Sequence, residues 1–136
     1  MKILGIGSNY VADLKDLEEK SKAKKFIFSK PESSLAVNCD VLYPSDITNE
    51  LIYEIELVIK IGKEGKNITK ETANSYISEI AVGIDYTATD LLNDARETKH
   101  PWDFAKGFDG AAPISSFKPV SDYNLDDINF LALLFS

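Results

Sequence analysis

An eleven-residue stretch, Leu51-Ile52-Tyr53-Glu54-Ile55-Glu56-Leu57-Val58-Ile59-Lys60-Ile61, constrains the fold more than any other part of this chain. Its odd positions are Leu, Tyr, Ile, Leu, Ile and Ile with no charge among them, the period-two pattern of a strand that buries one whole face. The other face sets Glu54 and Glu56 between Ile52 and Val58 and reaches its Lys only at the end. Alternate side chains on one strand face stand roughly 6.5–7 Å apart. Two carboxylates at that spacing repel each other unless one is protonated or a cation lies between them. A solvated face that happens to carry two acids accounts for the strand alone. An acid-lined site accounts for it together with what lies downstream.

A chain of 136 residues suits one domain spanning 1–136. The net charge of −7 argues against nucleic acid and anionic membrane as partners. There is no signal-peptide core, no apolar run of membrane-spanning length, and a single cysteine, Cys39, so the cytoplasm is the expected location. Cys39 has no basic partner nearby in sequence and reads as a structural thiol rather than a nucleophile.

The pattern predicts a strand over Lys2–Ile6, a turn at Gly7-Ser8-Asn9, and a helix from Tyr10 to Lys24 with Val11, Leu14 and Leu17 as its apolar stripe. Lys25–Ser29 reads as a short strand and Leu35–Leu42 as a weaker one. After the Glu-x-Glu strand, Gly62–Gly65 is a turn, and Thr69 caps an expected helix over Lys70–Ser78. A buried strand is expected over Ala81–Tyr86, then a helix to about Arg96 capped by Thr87 or Thr89, then strands at Pro113–Phe117 and Ile128–Phe135. That last apolar strand invites pairing with another chain.

Asp85, in Gly83-Ile84-Asp85-Tyr86-Thr87, ends an otherwise apolar strand beside a helix start. It is either a helix-cap acid or the third member of an all-oxygen site with Glu54 and Glu56, of the hard kind that suits Mg²⁺, with Mn²⁺ or Ca²⁺ as alternatives. His100, the single histidine, precedes Pro101 and reads as a loop residue.

Gly7-Ser8-Asn9-Tyr10, Lys30-Pro31, Tyr53-Glu54-Ile55-Glu56-Leu57, Gly83-Ile84-Asp85-Tyr86-Thr87-Ala88 and Pro101-Trp102-Asp103-Phe104-Ala105-Lys106-Gly107-Phe108-Asp109, in that order, resemble the fumarylacetoacetate hydrolase family, especially its acylpyruvate-hydrolase-like and hydroxyheptadienedioate-isomerase-like members. The resemblance implies an α+β fold, a mixed β-sheet roll or sandwich with peripheral helices. It implies that Glu54, Glu56 and Asp85 bind the divalent metal, a Lewis acid for the enolate or oxyanion of a small 2-oxo acid or acylpyruvate. It also implies that Lys106 stabilises substrate charge, and that the chain forms a homodimer. Without the resemblance Lys106 reads as an exposed loop lysine.

Departures from the family pattern bear on the reaction. By register its catalytic His and Glu fall on Asp13 and Asp16, which share a helix face. An Asp titrates near 3.9 rather than about 6.5, making Asp13 a poor base at neutral pH. Family Arg and Gln positions are Thr89 and Leu92 here, and nothing corresponds to the family's pocket-closing Asn-Gly and Gly-Thr-Pro segment. The expected chemistry is therefore decarboxylation or keto–enol isomerisation ahead of C–C hydrolysis. The alternative is a silent or truncated paralogue that keeps the fold and metal site as a binding or oligomerisation unit. A plain Ca²⁺ or Mg²⁺ module ranks last, because no calcium-loop motif is present.

Overall fold

The computed structural model describes residues 1–130. Strand β1 (Ile3–Gly7) pairs antiparallel with β2 (Phe26–Lys30) as a separate two-stranded ribbon, with Gly5 opposite Phe28 and Gly7 opposite Phe26. Any Cβ on Gly5 or Gly7 would run into the ring of Phe28 or Phe26. Those two glycines therefore let the β2 aromatics lie flat across β1. Between the strands, a 3₁₀ turn at Leu14–Asp16 and the short helix α1 (Leu17–Lys22) replace the long helix expected over Tyr10–Lys24. The expected apolar stripe finds no wall among the described residues: Leu14 and Leu17 are exposed.

The main sheet orders its strands β3 (Leu35–Val37), β6 (Ala112–Ile114), β5 (Ile77–Ala88) and β4 (Leu51–Ile61), with β7 (Lys118–Pro119) also paired to β5. Strand β3 (Leu35–Val37) runs parallel to β6 (Ala112–Ile114), which meets β5 antiparallel at Gly83–Ile114. Strand β4 (Leu51–Ile61) and strand β5 (Ile77–Ala88) form a long antiparallel pair with Glu54 opposite Asp85. Strand β7 (Lys118–Pro119) pairs with β5 at Glu79 and Ile80. Both parallel and antiparallel pairs occur, so the sheet is mixed, as expected.

The helix expected over Lys70–Ser78 is one turn, α2 (Lys70–Ala73), followed by a 3₁₀ turn at Asn74–Tyr76. Ile77 and Ile80 belong instead to β5, where cross-strand pairing with Ile61 and Ile59 outweighs the local helical spacing. Helix α3 (Thr89–Thr98) follows β5 directly. Neither Thr87 nor Thr89 caps it, and both hydroxyls lack partners among the described residues. Asp90, in its first turn, instead binds Thr48 Oγ1 and the Asn49 N–H, fastening the loop before β4 to this helix. Helix α4 (Asp103–Lys106) packs against α3, β5 and β2. Ala88, Phe108 and Ala111 form the core cluster, ringed by Leu51, Tyr86 and Leu91.

The face of β4 expected to be fully buried is not. Ile55 and Leu57 are half-buried, while Tyr53 is 55% and Ile61 59% exposed. Strand β4 is an edge strand, and no described element covers the ends of that face. The strand expected over Ile128–Phe135 lies mostly outside the described residues, and its first three residues are irregular.

Candidate functional site

The register of β4 on β5 builds the site. Pairing Glu54 with Asp85 puts their side chains on one face, and alternation adds Glu56 to the same face. Asp85 lies within β5, three residues before its end, so it is not a helix-cap acid. Helix α4 brings in Lys106, whose ammonium donates to Asp85 Oδ2 at 2.6 Å and Glu54 Oε2 at 3.3 Å. One nitrogen within reach of both oxygens makes the two carboxylates close neighbours. Lys106 is only 6% exposed, unlike the loop lysine its local sequence suggests.

A residue with no assigned role in the sequence reading completes the cluster. Lys30 Nζ lies 2.8 Å from Asp85 Oδ1, yet it donates its hydrogen bonds to the carbonyls of Tyr86 (3.1 Å), Lys106 (2.5 Å) and Ala111 (3.0 Å). An ammonium has three protons. Asp85 Oδ1 meets that ammonium as a buried ion pair and accepts no other hydrogen bond among the described residues. Burial pushes the Lys30 pKa down, with Lys106 adding to that and Asp85 opposing it. Its signal was available: Phe26, Phe28 and Lys30 alternate on β2, which puts Lys30 on the aromatic face.

Tyr10 is the second unassigned residue. Its hydroxyl oxygen accepts the Leu57 N–H at 3.0 Å, pinning the N-terminal turn to the edge of β4 beside Glu56. Burial raises the Glu56 pKa, and Asp85 and Glu54 push the same way, while Tyr10 and Lys106 oppose the rise. Glu56 therefore feels both other acids.

Asp13 and Asp16 stand apart. Both are exposed, and among the described residues no hydrogen bond or ion pair joins either to Glu54, Glu56, Asp85 or Lys106. Asp13 accepts the Lys15 N–H at 3.0 Å and pairs with the Lys15 ammonium at 2.8 Å, contacts that lower its pKa. A base is weakened by such a shift.

The donor chemistry fits a hard divalent cation: the acids on this sheet face offer oxygen ligands only, and Glu56 has its pKa raised by burial first and by Asp85 and Glu54 after it. Among the described residues no three ligating side chains are gathered for one ion; Glu54 and Asp85 share the Lys106 ammonium. No helix among them is long and apolar enough to cross a membrane.

A family model described as "Fumarylacetoacetate (FAA) hydrolase C-terminal" matches residues 2–133. The mitochondrial oxaloacetate tautomerase of Caenorhabditis elegans is 35% identical over 121 residues, which are 89% of this chain and 56% of the relative. The mitochondrial oxaloacetate decarboxylase of Dictyostelium discoideum is 33% identical over 97% of this chain and 60% of its own length. Among solved structures, the fumarylpyruvate hydrolase of Pseudomonas aeruginosa, in complex with Mn²⁺ and pyruvate, superposes with a TM-score of 0.77 at 35% identity, covering 89% of this chain and 54% of that one. The chain thus spans little more than half the length of these relatives.

Proposed function

This chain belongs to the fumarylacetoacetate hydrolase family, and from that premise we propose that it is a divalent-metal-dependent enzyme of small 2-oxo acids or acylpyruvates. Glu54, Glu56 and Asp85 hold the metal, Mg²⁺ or Mn²⁺ by donor type. When bound, it supplies Lewis-acid stabilisation of negative charge on the substrate's oxygens. Lys30 fixes the Asp85 carboxylate, and Tyr10 holds the N-terminal turn against β4 at Leu57, next to Glu56. Lys106, buried and charged beside both acids, donates to a substrate oxygen as charge develops there. The observation that carries the reading is this acid-and-lysine cluster on one sheet face, supported by relatives named for oxaloacetate chemistry and by the Mn²⁺–pyruvate complex of the fumarylpyruvate hydrolase.

Asp13 decides between reactions. Held low by Lys15, it makes a feeble base for activating water, so keto–enol isomerisation or decarboxylation is favoured over hydrolysis. A cytoplasmic homodimer belongs to the same proposal. A second reading, a silent paralogue retaining the metal site, is favoured by the exposure of Asp13 and the unpartnered hydroxyl of Thr89.

Calorimetry with Mn²⁺ tests the site: binding is expected, and Glu54→Ala or Glu56→Ala should abolish it. Oxaloacetate turnover should then exceed acylpyruvate hydrolysis by about 10²–10⁴, the worth of a positioned base. Asp13→His should raise hydrolysis. Efficient hydrolysis insensitive to Asp13→Ala would overturn the assignment, and metal binding with no turnover of either substrate would establish the silent paralogue.

A further inference from the structure

Asp85 gives both of its carboxylate oxygens to lysines. Lys30 Nζ stands 2.8 Å from Oδ1, and Lys106 Nζ stands 2.6 Å from Oδ2. A divalent cation that uses Asp85 must therefore displace an ammonium or share an oxygen with one. Keeping both lysines in place would leave the three-acid cluster net positive once such a cation entered. The two lysines differ in how firmly they are held. Lys30 donates to three main-chain carbonyls, and moving it would strand all three. Lys106 Nζ donates only to carboxylates among the described residues, and its bond to Glu54 is long at 3.3 Å. Lys106 also has another neighbour. Its ammonium lies over the Phe28 ring, 4.8 Å from the centre, within the range at which a ring face attracts a cation. Gly5 stands opposite Phe28 on β1, where any Cβ would run into that ring, so glycine keeps the ring in its place.

We infer that Phe28 is a positioning residue for metal uptake. Its ring is the second seat of the Lys106 ammonium, which withdraws onto it when a divalent cation takes Asp85 Oδ2 and Glu54 Oε2. The inference rests on the proposed metal site. An alkyl wall at position 28 would leave the withdrawn charge buried without compensation, a costly state. The aromatic face lowers that cost and holds the freed ammonium beside the cluster, where a substrate oxygen can reach it.

Calorimetry with Mn²⁺ on the 136-residue chain reads this exchange without any turnover. Lys106→Met is expected to bind Mn²⁺ about tenfold or more tightly than the parent, since no ammonium has to leave. Phe28→Leu is expected to bind it roughly three- to thirtyfold more weakly, the worth of the lost ring contact. The same Phe28→Leu change in the Lys106→Met background should alter affinity by less than about twofold, because the ring acts only through the ammonium. Circular dichroism checks the fold of each variant. Should Phe28→Leu disturb it, 3,4,5-trifluorophenylalanine at position 28 keeps the ring's shape while weakening its negative face. That ring should weaken Mn²⁺ binding in the parent and leave the Lys106→Met affinity unchanged. If Lys106→Met binds Mn²⁺ no more tightly than the parent, or if ring changes act equally in both backgrounds, the second seat is overturned and the metal site stands. Absence of Mn²⁺ binding in both the parent and Lys106→Met would sink the proposed function, and this inference with it.

Discussion

The three protons of the Lys30 ammonium go to main-chain carbonyls on β5, on α4 and in the turn before β6, and its charge faces Asp85. One side chain thereby ties β2 to three other segments inside the protein. Lys30→Met would keep the stem's volume but strand three carbonyls and remove half the positive charge around Asp85. Breaking a buried pair from one side costs about 3–5 kcal/mol, which urea unfolding should show as an early midpoint. A variant as stable as the parent would mean that water replaces the ammonium. Glu56 titrates the other way from most paired acids. Its folded pKa lies above its unfolded value, so its contribution to stability is present below the unfolded pKa and is lost as pH rises through the folded one. Metal binding requires the ionised form, so Mn²⁺ affinity should fall as pH drops through that raised pKa. Calorimetry across this window should show the loss beginning at a higher pH than an ordinary carboxylate would give, and Tyr10→Phe should shift it higher still, since Tyr10 opposes the rise.

At the scale of elements, period-two patterning was the most legible signal. The β4 alternation gave the strand to the residue and put Glu54 and Glu56 on one face, because that periodicity is intrinsic to the pleat. Burial was not legible, since it depends on what covers the strand, and Tyr53 and Ile61 are open. Residues 70–80 misled for the opposite reason. Ala73, Tyr76, Ile77 and Ile80 have helical spacing, but β5 claims the last two through long-range pairing that local sequence does not record. Tyr10 and Lys30 lie in stretches that carry the family resemblance, but local sequence names no partner for either; those partners, Leu57 and Asp85, are set by long-range packing.

The described residues enclose a thin interior. Among them the buried apolar residues are mainly alanines (81, 88, 95, 105, 111 and 112), joined by Ile80, Leu92, Phe108 and Ile114. Small side chains bury little area, and at about 25 cal/mol per Å² they contribute little stability. Larger apolar groups remain outside: Tyr53, Ile59 and Ile61 on β4, and a groove of about 480 Å³ on the same face lined by Leu57, Ile80 and Val82. Covering each large side chain is worth roughly 1.5–3 kcal/mol, and β4 adds a long sheet edge that pairs with no other strand among the described residues. The chain should therefore self-associate through this face. Sedimentation velocity over about a hundredfold dilution should show the sedimentation coefficient falling as the species dissociates. Tyr53→Lys combined with Ile59→Lys should give a monomer at every concentration, because two charges on that face make apposition costly. Neither residue belongs to the acidic cluster, so Mn²⁺ affinity should survive the double substitution. A parent chain that stays monomeric throughout would show that this face is covered from within the chain.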